Sequence, residues 1–303
     1  MRSSLTEDQT NKLRALIKKL CVSKAPIQTG VDPVLKKLER IKAVYFDVYG
    51  TILISGTEPM MRKDGKRELL HMTEAFSSFG LPIDEGTVIR AIELLHHSVA
   101  ESHAIKKLQG IDFPEVDIIS IWEQIVERLE AEEFIEEFEK TRVVELLTYF
   151  VIRYDDPWLM PHLEETIEEL ESMSLHLGII SNSQFYTPIT LEALSGKTME
   201  ELGFEEEASF WSFSEDIAKP SVEFYRRAKE YLIERKNIHP NEVLFVGNDM
   251  LNDIYPAQKI GFKTALFAGD RRSFRLRSDD VRCQSLEPDI TITDLNQLKE
   301  CIG

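Results

Sequence analysis

The sequence predicts an α/β protein in which a parallel sheet carries helices on both faces, with one inserted helical domain and a helical N-terminal extension. Short apolar runs alternate with helical stretches from residue 161 onwards, which is typical of βαβ units. About 100 residues after the first apolar run show helical periodicity without a strand pattern. At 43% hydrophobic residues, the 303-residue chain can bury a sizeable core.

The chain begins with a stretch, residues 1–40, that we predict to be a separate helical extension. Ser4 or Thr6 can cap a helix whose apolar side chains recur on one face. These side chains are Leu13, Leu16, Ile17 and Leu20. The stripe favours packing of the extension against the rest of the protein.

The predicted core domain consists of residues 41–55 and 157–303. Its apolar runs predict strands at 43–47, 175–181, 208–214, 243–247, 264–267 and 288–292. The stretches between and after the later runs predict helices at 161–173, 187–203, 220–236, 252–261 and 294–302. Strands that alternate with helices in this way favour a parallel sheet covered on both faces.

The predicted insertion spans residues 56–156. Apolar residues fall at helical spacing around Ile92 and Trp122, which indicates amphipathic helices that form a helical domain. The acidic run 127–139 is interrupted by Phe134, Ile135 and Phe138. That interruption favours the solvated face of a helix over an acidic binding tail.

Composition excludes several classes of function. The net charge of −17 repels phosphate backbones and anionic lipids, so we expect neither nucleic-acid nor membrane-surface binding. Cys21, Cys283 and Cys301 show no disulfide or zinc spacing, which favours a reducing compartment. The N-terminus has no apolar segment of the signal-peptide type, and no stretch is long enough to span a membrane. We therefore predict a cytoplasmic protein.

Polar clusters follow three predicted strands, and a fourth cluster begins a predicted helix. They are Asp47-Val-Tyr-Gly-Thr51, Ser181-Asn182, Gly247-Asn-Asp-Met-Leu-Asn-Asp253 and Lys219-Pro220. Ligands of open parallel sheets bind beyond the carboxyl ends of the strands, so we expect these clusters to meet there. An aspartate can attack phosphorus or carbon covalently. An ammonium group and a divalent cation would stabilise a transferring phosphoryl group, and carboxylate, amide and carbonyl oxygens suit Mg²⁺.

These four clusters, in this order, resemble the four motifs of the haloacid dehalogenase superfamily. The resemblance covers about residues 41–292 and implies a Rossmann-like core whose helical cap is inserted between the first two motifs. It also implies a nucleophilic Asp47, with Lys219 neutralising both this nucleophile and the substrate phosphate. Further implied contacts are Thr51 bracing the first loop, and Ser181 with Asn182 and nearby backbone N–H groups holding the substrate phosphate.

The resemblance also implies a Mg²⁺ site formed by Asp47, the carbonyl of Tyr49 and acids of the fourth motif. The register of that motif is ambiguous. One spacing makes Asp249 the direct ligand, which we favour, and the other assigns that position to Asn248. Asp253 would anchor the loop.

The first motif departs from the pattern of the family's phosphatases, which carry an aspartate where this chain has Tyr49. A phenol with a pKa near ~10 is a poor general acid and base at neutral pH, which predicts slow or restricted phosphatase activity. The Asp-x-Tyr-Gly-Thr form resembles 2-haloacid dehalogenases, which need no metal. Asp249 and Asp253 resemble the metal-dependent phosphatases instead.

The residues leave three functional hypotheses open. The first is a Mg²⁺-dependent phosphatase that acts on a small phosphorylated metabolite through an aspartyl-phosphate on Asp47. The second is a carbon–halogen hydrolase that forms an ester on Asp47, and the third is a protein that binds a ligand or partner without turnover. The arginine-rich segment 271–277 is interpreted as a solvated loop. The sequence does not predict the oligomeric state.

Overall fold

The structure is a computed structural model that describes residues 5–55 and 65–303. The chain divides into two compact units. One comprises Met1–Val22 and Thr57–Pro157, and the other comprises Ser23–Gly56 and Trp158–Gly303. The alternative cap Ser4 and the predicted start of the insertion at residue 56 lie outside the described residues.

The first unit is helical. Its described part contains α1 (Glu7–Leu20), α2 (Gly65–Phe79), α3 (Glu85–Leu108), α4 (Ile118–Ala131), a 3₁₀ turn (Lys140–Arg142) and α5 (Val143–Asp155). Thr6 begins α1 with a capping box, in which it accepts from the Gln9 backbone and the Gln9 side chain reaches back. Asp84 and Asp117 cap α3 and α4 through the same type of side-chain contact.

The core of the helical unit includes residues of the N-terminal extension. Leu13 and Ile17 are fully buried, because α1 packs against α5. Trp122 is buried against Phe150, with ring centroids 5.5 Å apart. The predicted extension 1–40 is therefore divided at residue 22 between the two units, since its apolar stripe completes the helical core.

The acidic run 127–139 is only partly helical. Helix α4 ends at Ala131, and the remainder of the run turns so that Ile135 and Phe138 are buried. The prediction of a helical face across the whole run is thus wrong beyond Ala131. Burial of these two apolar side chains favours the turn over continued helix.

The second unit is built on a six-stranded parallel sheet. Its strands are β1 (Ala43–Phe46), β4 (His176–Ser181), β5 (Ser209–Trp211), β6 (Val243–Gly247), β7 (Lys263–Phe267) and β8 (Ile290–Ile292), in the order β5-β4-β1-β6-β7-β8. The short strands β2 (Leu53–Ile54) and β3 (Trp158–Leu159) pair antiparallel beside it. The sequence did not predict this two-stranded ribbon, because two-residue strands have no readable periodicity.

Helices connect the strands of the sheet. They are α6 (Leu163–Ser172), α7 (Tyr186–Ser195), α8 (Ser212–Glu215), α9 (Val222–Lys236), α10 (Tyr255–Lys259) and α11 (Leu298–Cys301), with 3₁₀ turns at Glu206–Ala208, Pro240–Glu242 and Leu295–Gln297. One turn of π-helix, Met250–Ile254, leads into α10. The central strands β1 and β6 are buried at every residue, as expected for a parallel sheet with both faces covered.

Two predicted elements are shorter in the structure. Helix α7 ends at Ser195 because Gly196 adopts the left-handed conformation that terminates helices, whereas helix was predicted to residue 203. The predicted strand 208–214 is a strand only over Ser209–Trp211, and helix α8 follows directly. In the described part of the chain, no helix has the length and apolar composition needed to cross a bilayer.

Candidate active site

The predicted polar clusters lie at the carboxyl edge of the sheet. Strand β1 pairs in parallel with both β4 and β6, so the ends of these three strands are neighbours. Asp47 directly follows β1, and its backbone N–H donates to the Val246 carbonyl over 2.9 Å. The first, second and fourth clusters therefore meet at one place, and Lys219 reaches them from the segment before α9.

Asp47 is almost completely buried, with 6% of its surface exposed. Its Oδ1 atom accepts from Lys219 Nζ at 2.5 Å and from Ser181 Oγ at 3.3 Å. Thr51 Oγ1 lies 3.5 Å from Oδ2, at the limit of a hydrogen bond. Three side chains singled out in the sequence thus surround this carboxylate.

Lys219 connects two carboxylates. Its Nζ atom also donates to Asp253 Oδ1 at 2.7 Å, and only 3% of the lysine side chain is exposed. Burial by itself lowers the pKa of Lys219, but Asp253 and Asp47 outweigh this effect and hold the pKa above its ordinary value. Burial also raises the pKa of Asp253, and Lys219 opposes that change. The two acids therefore favour the charged form of the lysine that lies between them.

Asn182 fixes the backbone of Lys219. The Asn182 amide donates to the Lys219 carbonyl over 3.2 Å, and its oxygen accepts from the Lys219 N–H at 2.6 Å. The Lys219–Pro220 peptide bond is cis. The described contacts of Asn182 thus position the lysine, and its predicted contact with substrate stays a prediction.

Tyr49 directs its phenol to helix α7. The Tyr49 hydroxyl lies 3.0 Å from Thr187 Oγ1, and the side chain packs on the hydrophobic core of the sheet unit. Next in the chain, Gly50 has φ +89°, and a Cβ there would lie 2.5 Å from the Ser273 side chain. This turn therefore requires glycine, and it brings the first motif against the loop that follows β7.

The fourth motif presents three side chains with different partners. Asn248 Oδ1 accepts from Thr51 Oγ1 at 3.2 Å, and its amide donates to the Ser273 carbonyl. Asp253 Oδ2 accepts from the Asp249 backbone at 2.9 Å, which anchors the loop. Asn248, rather than Asp249, thus contacts the threonine that approaches Asp47.

Asp249 is held by a residue that the sequence analysis did not identify as part of the site. Arg277 Nε donates to Asp249 Oδ1 at 3.1 Å and to Oδ2 at 3.0 Å, and Arg277 Nη2 donates to Oδ2 at 2.5 Å. The interpretation of 271–277 as a solvated loop is therefore wrong for Arg277 and Ser273. The sequence did contain one indication that this segment belongs to the site. The segment directly follows strand β7, so it lies at the same edge of the sheet as the other clusters.

The residues fit Mg²⁺ in donor type. Within residues 5–55 and 65–303, no three acidic, histidine or cysteine side chains surround a common point as ready ligands. Arg277 pairs with Asp249, and Lys219 pairs with Asp253. The described contacts of Asp47 Oδ2 are limited to the long one with Thr51, so this oxygen remains able to accept a cation. Carboxylate, amide and main-chain carbonyl oxygens are the hard ligands that Mg²⁺ prefers.

The arrangement can support nucleophilic chemistry at Asp47. The side chain is a buried carboxylate at a strand end, with an ammonium group and a hydroxyl on one oxygen. Preorganised charges of this kind stabilise the negative charge that develops when a carboxylate displaces an anionic group.

Sequence comparison identifies the family of this chain. The profile of the haloacid dehalogenase-like hydrolase family matches residues 41–261, which is more than half of the chain. The protein therefore belongs to the haloacid dehalogenase-like hydrolases. The four motifs of the resemblance lie within the matched region, and the predicted α/β class is confirmed.

Two curated proteins have related sequences over part of their length. Ribulose-1,5-bisphosphate 5-phosphatase of Halopiger xanaduensis is 26% identical over 157 residues, which cover 51% of this chain and 61% of that protein. Phospholysine phosphohistidine inorganic pyrophosphate phosphatase of Danio rerio is 30% identical over 89 residues, which cover 29% of this chain and 30% of that protein. The matches thus span less than two thirds of either relative.

A solved structure shares the fold. The crystal structure of 2-haloacid dehalogenase from Pseudomonas syringae pv. Tomato DC3000 aligns with a TM-score of 0.54 and 17% sequence identity, covering 86% of this chain and 97% of that chain. At this identity the likeness concerns the fold alone.

Proposed function

We propose that the protein is a Mg²⁺-dependent phosphatase of small phosphorylated metabolites that works through an aspartyl-phosphate on Asp47. The observation that carries this proposal is the bridge from Lys219 Nζ to Asp47 and Asp253, at 2.5 and 2.7 Å. A cation fixed beside the nucleophile is what transfer of an anionic phosphoryl group requires. The phosphatase names of the two partial relatives support the same class of substrate.

The reaction would proceed in two displacements. Asp47 attacks phosphorus, and the bond between phosphorus and the leaving oxygen breaks. Water then attacks the phosphorus of the aspartyl-phosphate, which releases inorganic phosphate and restores the carboxylate. Lys219 donates to Asp47 and places a positive charge beside the nucleophile, and Ser181, within 3.3 Å of Asp47 Oδ1, is positioned to donate to the transferring group.

Magnesium would be held by Asp47, the carbonyl of Tyr49 and either Asn248 or Asp249. When bound, the cation would neutralise charge on the phosphoryl oxygens. The cap role of the helical unit and the cytoplasmic location stay predictions.

Tyr49 restricts the leaving group. Its hydroxyl is 3.0 Å from Thr187 Oγ1, and a phenol is a weak acid at neutral pH. The leaving oxygen therefore departs without an efficient proton donor at this position. We expect acyl and aryl phosphates, whose leaving groups need no proton, to be the better substrates.

The leaving-group argument predicts the effect of Tyr49→Asp. The new carboxyl group supplies general acid catalysis, which contributes about 10²–10⁴-fold. kcat/KM for glycerol 3-phosphate should rise relative to kcat/KM for acetyl phosphate. Tyr49→Phe is the matched control, because it removes the Thr187 contact without adding an acid, and its ratio of the two values should stay near that of the wild type. An unchanged ratio in Tyr49→Asp contradicts the argument.

The proposed function is tested by substrate turnover and by detection of the covalent intermediate. We expect hydrolysis of acetyl phosphate and p-nitrophenyl phosphate that EDTA abolishes, and mass spectrometry of the quenched enzyme should find a phosphoryl group on Asp47. Asp47→Asn should abolish both signals. Turnover that persists unchanged in EDTA would refute the metal-dependent mechanism.

A carbon–halogen hydrolase is the second candidate, and Tyr49 favours it because halide leaves without a proton. Release of chloride from 2-chloropropionate, without phosphatase turnover, would support this candidate. If the protein is inert towards both substrate classes while a phosphorylated ligand raises its melting temperature, a binding function replaces both proposals.

A further inference from the structure

The contact between Arg277 and Asp249 occupies a predicted metal ligand. Both carboxylate oxygens of Asp249 accept from the guanidinium, over 2.5–3.1 Å. The Asp249 side chain is 9% exposed and that of Arg277 is 26% exposed. Paired N–H donors on both oxygens of a partly buried carboxylate form one of the strong kinds of ion pair.

The backbone presents Arg277 to Asp249. The Arg275 N–H donates to the Asn248 carbonyl over 3.0 Å, and the Met250 N–H donates to the Arg275 carbonyl over 2.9 Å. Arg277 itself adopts the left-handed conformation, with φ +53°. A non-glycine residue keeps this conformation where surrounding contacts determine it, so the arginine is held on the fourth motif by the path of its loop.

The start of this loop is anchored to the segment that precedes β1. Asp270 is buried and pairs with Arg272, whose guanidinium also donates to the Ala25 carbonyl at 2.8 Å. The Arg271 N–H donates to the Ile27 carbonyl over 2.8 Å. These contacts lie within the sheet unit, and they fix the loop on the side from which Arg277 reaches Asp249.

A divalent cation and this guanidinium would bind the same oxygens of Asp249 and cannot both do so. A Mg²⁺ ion at 2.0–2.1 Å from a carboxylate oxygen repels a second positive group that lies against the same oxygen. Arg277 supplies one positive charge to Asp249, as a metal would. In the described structure the guanidinium donates to both oxygens through which Asp249 would bind a cation, and Oδ1 also accepts from the Leu251 and Asn252 N–H groups.

We propose that Arg277 and the divalent cation compete for Asp249, so that metal binding requires release of the guanidinium. The inference rests on the metal site of the proposed function and deepens it. In this proposal, Arg277 neutralises Asp249 in the metal-free protein. It thereby weakens the affinity of the protein for the cation.

The experiment measures Mn²⁺ binding by electron paramagnetic resonance on the full chain, without substrate. Arg277→Gln should bind Mn²⁺ about tenfold or more tightly than the wild type, because the charged hydrogen bonds no longer oppose coordination. Arg282→Gln is the matched control. It removes the same charge from the same connection between β7 and β8. Arg282, however, pairs with Asp280 at 2.7 Å, so its Mn²⁺ affinity should stay within about twofold of the wild type.

The double variant Asp249→Asn/Arg277→Gln locates the effect. If the competition takes place at Asp249, loss of that carboxylate removes the gain in Mn²⁺ affinity that Arg277→Gln produces. The proposal is overturned if folded Arg277→Gln binds Mn²⁺ no more tightly than the wild type. It is also overturned if the gain in Mn²⁺ affinity persists in the double variant, or if no variant binds Mn²⁺. Circular dichroism checks folding, and if Arg277→Gln does not fold, Arg277→Asn, which also removes the charge and tolerates the left-handed conformation, decides in the same way.

Turnover assays and Mn²⁺ binding together distinguish failure of the proposed function from failure of the proposed competition. If no variant turns over a phosphorylated substrate but Arg277→Gln still binds Mn²⁺ more tightly, the competition stands and the phosphatase assignment fails. If turnover is metal-dependent but Mn²⁺ affinity is the same in the wild type and in Arg277→Gln, the phosphatase assignment stands and the proposed competition is refuted.

Discussion

Replacement of Lys219 by methionine removes the ammonium group that separates two buried carboxylates. Lys219 Nζ is 2.5 Å from Asp47 Oδ1 and 2.7 Å from Asp253 Oδ1, so these oxygens lie within about 5 Å of each other. Two unit charges at that distance repel by about 3 kcal/mol at an effective dielectric constant of 20. Without the ammonium group, Asp253, whose pKa burial already raises, either bears this repulsion or takes up a proton. Removal of one partner of a buried ion pair typically costs about 3–5 kcal/mol. We therefore expect the free energy of unfolding to fall by about 3–5 kcal/mol.

Urea-induced unfolding measures this loss. Lys36→Met is the control, because Lys36 is an exposed lysine of the same unit, and its effect should stay within about 0.5 kcal/mol. The double variant Lys219→Met/Asp253→Asn removes one of the repelling charges and should recover part of the stability. A loss below about 1 kcal/mol for Lys219→Met, or no recovery in the double variant, would refute the charge argument.

Two further predictions concern stability. Gly50→Ala should lower the free energy of unfolding by about 1–3 kcal/mol, since Gly50 has φ +89° and an added Cβ would lie 2.5 Å from Ser273; a melting temperature equal to that of the wild type would contradict this. Burial raises the pKa of Glu205, but hydrogen bonds from Lys236 and His176 outweigh it and lower the pKa. The stabilisation by ionised Glu205 is thus present above its ordinary pKa and is lost as the pH falls. Glu205→Gln should therefore cost a few tenths to about 1 kcal/mol at pH 7, and the melting-temperature gap to the wild type should close towards pH 4; a gap that widens in acid would be evidence against it.

The sequence alone determined the architecture of the sheet unit and the centre of its site. Strands β1, β4, β6 and β7 lie where short apolar runs predict them, because continuous burial on both faces leaves a local signal in the chain. The convergence of Asp47 and Ser181 follows from a general rule, since the carboxyl ends of neighbouring parallel strands lie at one edge. The family motifs are recognisable for the same reason, because each lies at a strand end or a helix start.

Only the tertiary structure decided which partners the remaining polar groups have. Asn182 holds the Lys219 backbone, Tyr49 is directed to Thr187, and Asp249 is held by Arg277. Each of these contacts depends on the path of an irregular loop and on a side-chain conformation, and neither leaves a periodic signal in the sequence. The assignment of helix α1 to the helical unit has the same origin, because an apolar stripe shows that a helix is covered but not which surface covers it.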